Sequence, residues 1–153
     1  MVASARASAA LPVHKPAGGG TLAVAHGTYT HASNLAATTV IEYCRVPKDA
    51  VIVGGFWCGT DLDTGTEELD IDIGYAANGV DAADTDAFGN LGVITGDPSV
   101  HVASGFWIPF QGRLQTEGAV TVNAETVITA YVNVDAAATG TGTSTMVVYY
   151  YVP

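Results

Sequence analysis

Short runs of alternating side chains, each closed by a turn signal, govern what this chain can fold into. Leu69, Ile71, Ile73 and Tyr75 share one side of an extended segment, and Asp70 and Asp72 share the other. Ile128, Ala130, Val132 and Val134 alternate with Thr129, Tyr131 and Asn133 in the same way, as Val120 and Val122 do with Thr121 and Asn123. A period of two is that of a strand with one buried and one wet face. Candidate strands fall at 21–29, 38–46, 50–58, 68–75, 92–95, 100–108, 119–123, 126–134 and 145–152. Between them stand breakers such as Pro47-Lys48-Asp49, Asn78-Gly79, Asp97-Pro98 and Gly118. Val51-Ile52-Val53 and the run from Met146 to Val152 are apolar on both sides, as central strands or subunit-facing strands are. No stretch carries a capped amphipathic helix, and 79–88 has room for one short turn at most. The pattern predicts an all-β, jelly-roll-like antiparallel β-sandwich over 21–153. Its expected core includes Ile41, Val51, Val53, Ile71, Ile73, Ile128, Val132 and Val148.

Residues 1–20 differ. They are rich in Ala and Ser, then hold Pro12, Pro16 and Gly18-Gly19-Gly20, with no period to fold on. They read as an extended N-terminal arm that orders on docking. For a chain of 153 residues, roughly two-thirds of the extended surface can be buried in one domain. No disulfide framework is needed at that size. Counting outward from the Pro47 turn sets Cys44 opposite roughly Val53 rather than Cys58, so two buried thiols are expected.

Charge narrows the function. Only 13% of residues are charged while 48% are hydrophobic, a surface that favours subunit contacts over a lone monomer. Residues 1–41 hold Arg6 and Lys15 and no acid, whereas the remainder holds all 15 acids against Arg45, Lys48 and Arg113. Nucleic-acid binding needs clustered Lys and Arg, and this chain has none. No apolar run approaches the ~18 residues that span a bilayer, and the N-terminus has no apolar core of a secretory signal before Pro12. Synthesis in the cytoplasm and no membrane partner are expected.

The sharpest chemical candidates are aspartates. Asp81, Asp84 and Asp86 lie close enough along one segment to converge on a calcium ion, and the alternative is a solvated acidic loop. Asp61-Leu62-Asp63-Thr64-Gly65 opens like a calcium loop, but its sixth position is Thr66 and its twelfth Asp72, which fails the EF-hand register. Asp70 and Asp72 point the same way and suit a repelling surface pair better than a glycosidase acid and base. His14, His26, His31 and His101 form no zinc pattern. Nucleophile elbows and phosphate loops are missing from the sequence. No catalytic residue and no cofactor is therefore assigned, with calcium the one ion considered. Trp57 and Trp107 sit in apolar runs and read as packing residues, with sugar stacking as the alternative. Tyr149 and Tyr151 form an interface stripe on the last strand, and Arg6 and Lys15 make the arm basic.

The order of these segments resembles small virion proteins of tailed bacteriophages. The resemblance rests on the strand Val40–Val46, the Pro47 turn, the Gly-containing strand through Phe56-Trp57, the strand Leu69-Asp70-Ile71-Asp72-Ile73-Gly74-Tyr75 and the Asp-rich segment ending in Phe88. It covers about a third of the chain and implies a structural role in the virion. The expectation that follows is a non-enzymatic decoration or cement protein on the capsid exterior of a tailed phage. Its expected partners are the major capsid protein and itself, as a homotrimer. A carbohydrate- or receptor-binding module of a tail fibre is the alternative, needing an exposed Trp57 or Trp107.

Overall fold

A computed structural model describes residues 2–4, 7, 12–13, 19–33, 35–63, 68–93, 105–136 and 141–153. The strands are β1 (Val2–Ala3), β2 (Ala23–His31), β3 (Val40–Val46), β4 (Val51–Gly59), β5 (Asp70–Tyr75), β6 (Asp84–Val93), β7 (Phe106–Pro109), β8 (Val120–Thr121), β9 (Thr126–Val134) and β10 (Gly142–Tyr151). One helix, α1 (Arg113–Glu117), lies between β7 and β8. The first sheet runs β1-β3-β9-β5-β6 and the second β2-β10-β4-β7, with β8 also on β4. All pairings are antiparallel except β1 on β3. The two sheets pack as the expected all-β sandwich.

Alternation builds the core. Ile41, Tyr43 and Val46 of β3, Ile71 and Ile73 of β5, and Ile128, Ala130 and Val132 of β9 are buried from the first sheet. Ile52 and Trp57 of β4 and Met146, Val148 and Tyr150 of β10 meet them from the second. As their doubly apolar sequences imply, β4 and β10 are interior strands of their sheet.

Several expectations are corrected. The Pro47 turn does not close a hairpin: Asp49 takes a left-handed conformation (φ 63°) and the chain passes from one sheet to the other. Cys44 therefore lies opposite Ile128 rather than Val53. It is buried, with its thiol pushed up to about 12 by desolvation, while Cys58 is half-buried, and both are free thiols. Val53 is not in the core but 40% exposed. Tyr149 pairs with Gly54 and Tyr150 with Ile52, so Val53 is the extra residue of a bulge that turns it outward.

β5 is also wetter in the sequence than in the fold. It lies between β9 and β6, and Asp72 is only 6% exposed. The segment 79–88 forms no helical turn, because from Asp84 onward it is strand β6. The helix stands instead at α1, with an Arg113–Glu117 pair one turn apart and Gly118 in the left-handed C-cap. Of the strand expected over 100–108, Phe106 to Ile108 are in β7, Gly105 precedes it, and 94–104 lie outside the described residues.

The arm is tied to this chain at both ends. Val2 and Ala3 pair with Ile41 and Glu42, and the Ser4 hydroxyl donates to the Tyr43 carbonyl. The Gly20 amide donates to the Val152 carbonyl at 3.0 Å. Arg6 and Lys15 lie outside the described residues.

Candidate functional site

The two sheets divide the charge between them. β2, β4, β7 and β10 contain no Asp, Glu, Lys or Arg. β3, β5 and β6 carry Glu42, Arg45, Asp70, Asp72, Asp84 and Asp86. The strand pattern sets which residues of the uncharged sheet face out. Along β10, Ser144, Met146, Val148 and Tyr150 point inward, which leaves Val147, Tyr149 and Tyr151 half-buried on the outer side. Register then carries the outer face across the sheet. Val24 and Gly54 flank Tyr149, Phe56 and His26 flank Val147, and Cys58 stands between Thr145 and Trp107.

Large rings converge there. Trp107 is 58% exposed and leans on Phe56 with centroids 5.3 Å apart, and Tyr149 reaches Phe56 at 6.2 Å. The Tyr149 ring lies over Gly54, where an added Cβ would sit 3.7 Å from it. Val24 and the bulged Val53 extend the apolar area. Trp57, by contrast, is a wholly buried core residue against Phe106, so of the two tryptophans only Trp107 is presented outward.

The aspartates of the other side are held by the protein itself. Asp81 accepts from Asn78 Nδ2 (2.8 Å), the Asn123 amide (2.7 Å) and Asn123 Nδ2 (2.7 Å), which clamps the β5–β6 loop to the turn before β9. The bonds from Asn123 and then Asn78 hold its carboxyl below the usual range. Asp84 accepts from Arg113 Nη1 at 3.1 Å, and the same nitrogen donates to the Tyr75 hydroxyl at 3.0 Å. Asp84 and Asp86 lie on β6 rather than on a loop. Among the described residues no three His, Cys, Asp or Glu side chains come together to hold a metal ion. The expected set of Asp81, Asp84 and Asp86 is thus not gathered into one group among the described residues: Asp81 is taken up by the asparagine clamp and Asp84 by Arg113.

Asp61 and Asp63 organise their own loop. Asp61 Oδ1 accepts the Asp63 amide at 3.0 Å, and Asp63 Oδ2 accepts the Glu68 and Leu69 amides at 2.9 and 3.1 Å. Asp72 is pushed up by burial, opposed by an Asn133 hydrogen bond and reinforced by Asp70 and Asp86.

A buried polar cluster between the sheets has no counterpart in the sequence reading. Trp57 Nε1 donates to the Tyr43 hydroxyl at 3.0 Å, that hydroxyl lies 2.5 Å from Ser144 Oγ, and Ser144 Oγ lies 2.7 Å from His31 Nε2. A Ser–His contact invites a catalytic reading. However, Ser144 is 0% exposed and its other neighbour is a tyrosine, so the pair is closed to a substrate. The signal was present in the alternation: Ser144 shares its side of β10 with Met146, Val148 and Tyr150, and His31 shares its side of β2 with Ala23 and Gly27. His26 is exposed, and His14 and His101 lie outside the described residues.

No family model matches the sequence, and no curated protein does. Solved structures do match the fold. A chain in the capsid of Ralstonia phage GP4 is similar over 99% of this chain and 97% of its own, with TM-score 0.75 and 15% identity. A chain of the cyanophage Pam1 capsid asymmetric unit is similar over 95% and 96%, with TM-score 0.69 and 22% identity. A third, from the acidic stable capsid structure of the Helicobacter pylori bacteriophage KHP30, is similar over 88% and 90%, with TM-score 0.59 and 15% identity.

Proposed function

We propose that this chain is a non-enzymatic structural protein of a tailed-phage virion that decorates or cements the capsid exterior through its uncharged sheet. The carrying observation is the outer face around Phe56, Trp107 and Tyr149, an aromatic patch on a sheet without a charged residue in a chain of net charge −10. Large exposed apolar patches mark interaction sites, and Trp and Tyr supply most of the area in such contacts. Whole-length likeness to chains from three phage capsids supports the virion setting. Apart from the two-residue β1 and β8, the described strands are dealt as β2-β10-β4-β7 over β3-β9-β5-β6, which suits the jelly-roll reading.

The partners in this reading are the major capsid protein and further copies of the chain, as a homotrimer. Tyr149 and Tyr151 belong to the contact surface, and Arg6 and Lys15 of the arm reach acidic groups on the partner. Cementing then means covering apolar strand surface across a capsomer boundary, so that several contacts must break together. A sugar-binding reading is less well supplied, because Trp107 leans on Phe56 within an apolar face instead of standing among hydrogen-bonding side chains.

Co-sedimentation of the purified protein with expanded capsids of its phage tests the proposal, with a glycan array alongside. Saturable binding to capsids with no glycan signal is expected. A specific glycan ligand with no capsid binding overturns it.

A further inference from the structure

We propose that His31 is an acid-sensitive lock of the sandwich: as a neutral ring protonated on Nδ1 it ends a one-way chain of hydrogen bonds between the sheets, and its protonation opens the end of β2. The direction of the chain follows from its first member. An indole N–H can only donate, so Trp57 obliges the Tyr43 oxygen to accept. The Tyr43 proton must then go to Ser144 Oγ, the other polar atom at its hydroxyl, 2.5 Å away. The Ser144 proton goes on to His31 Nε2, 2.7 Å away, which has to be an acceptor. Each of the three links then carries one hydrogen when the ring is neutral.

Protonating Nε2 places a donor at both ends. Four hydrogens then lie along three links, and one of them is left without an acceptor between the sheets. Desolvation of an unmade bond is costly in so closed a place: Trp57, Tyr43 and Ser144 are all 0% exposed and His31 is 3% exposed. No ion pair with His31 is present among the described residues to offset its charge. The ionisable side chains facing it are Tyr29 on its own strand, edge-on at 4.8 Å, and Tyr43 on β3 through Ser144, and neither is a carboxylate that could offset the charge. Burial accordingly lowers the ring from 6.5 to about 4.

The mechanical consequence falls on β2. Among the described residues it is an edge strand paired with β10, and His31 is its last residue, opposite Gly142. At the middle of β2, Gly27 is pressed against the Tyr43 carbonyl so closely that a Cβ would collide with it. That contact keeps the strand seated while its end releases.

The folded ring binds its proton less readily than the unfolded one, so this contribution is complete above pH 6.5 and is lost as pH falls toward 4. Melting of the full chain and of His31→Gln between pH 7 and pH 4.5 tests the lock. The glutamine amide oxygen accepts the Ser144 proton but does not titrate. The folded-to-unfolded ratio of the parent should fall by roughly 60-fold more than that of the variant across this range, with amide protection at Thr28–His31 lost first. Parallel pH profiles overturn the proposal. Should His31→Gln not fold, nitrogen-15 spectra of the parent decide. An Nδ1–H tautomer titrating well below 6.5 upholds the lock, and an Nε2–H tautomer or an ordinary titration overturns it.

Discussion

Tyr43 is the side chain on which most depends. Its ring fills the core, its hydroxyl joins Trp57 to Ser144, and its carbonyl accepts from Ser4. Tyr43→Phe keeps the ring and removes the link, leaving the Trp57 N–H unpaired between the sheets. A loss of about 1–3 kcal/mol in denaturant titration is expected, and an unchanged midpoint would show that the link contributes nothing. Asp81 acts differently because it works at the surface. Asp81→Asn should lower the melting temperature at pH 7 by loosening the clamp on Asn78 and Asn123. Its carboxyl is held low, so the difference from the parent should persist at neutral pH and shrink as pH falls through the carboxylate range. Since Asp81 and Asp84 already have partners, exchanging chelator for millimolar calcium should leave the melting curve in place. A calcium-dependent rise would restore a cation role for these aspartates.

At the scale of elements, the legible parts were those with a strict period. β9 runs over the span that alternation marks, and β4 and β10 are interior strands as their doubly apolar sequences imply. What alternation cannot carry is where a strand finds its partner. Cys44 and Val53 are close in sequence across the Pro47 turn, yet they belong to different sheets, because a sandwich can cross over where a hairpin would close. Val53 shows a second limit, since one bulge residue reverses the side without altering composition. Asp84 and Asp86 read as loop because carboxylates are rare in strands, and only pairing with β5 makes them strand. The polar chain was written in the alternation of β2 and β10, but its joining depends on both sheets meeting. Paired substitutions check the bulge. Ile52→Ala should cost about 2–5 kcal/mol, whereas Val53→Thr should change stability by less than ~0.5 kcal/mol. Equal losses in urea would mean that Val53 is buried after all.

The whole molecule is a sandwich with one acidic and one uncharged sheet, and in the function proposed above the uncharged outer face meets the capsid. Arg6 and Lys15 add a salt-sensitive arm to this reading. Removal of residues 1–20 should leave the sandwich folded yet weaken particle binding, and the gap from the parent should narrow at raised ionic strength, where the contacts of Arg6 and Lys15 are screened. The face itself is tested most directly by one capsid-binding titration comparing the parent with Trp107→Asp and Asp86→Lys, after each variant's melting curve shows that it is folded. Placing a carboxylate at Trp107 should weaken binding at least ~10-fold by burying an unpaired charge in the contact, while Asp86→Lys on the acidic sheet should leave it unchanged. Undiminished binding by Trp107→Asp together with loss in Asp86→Lys would place the contact on the opposite sheet and contradict the account.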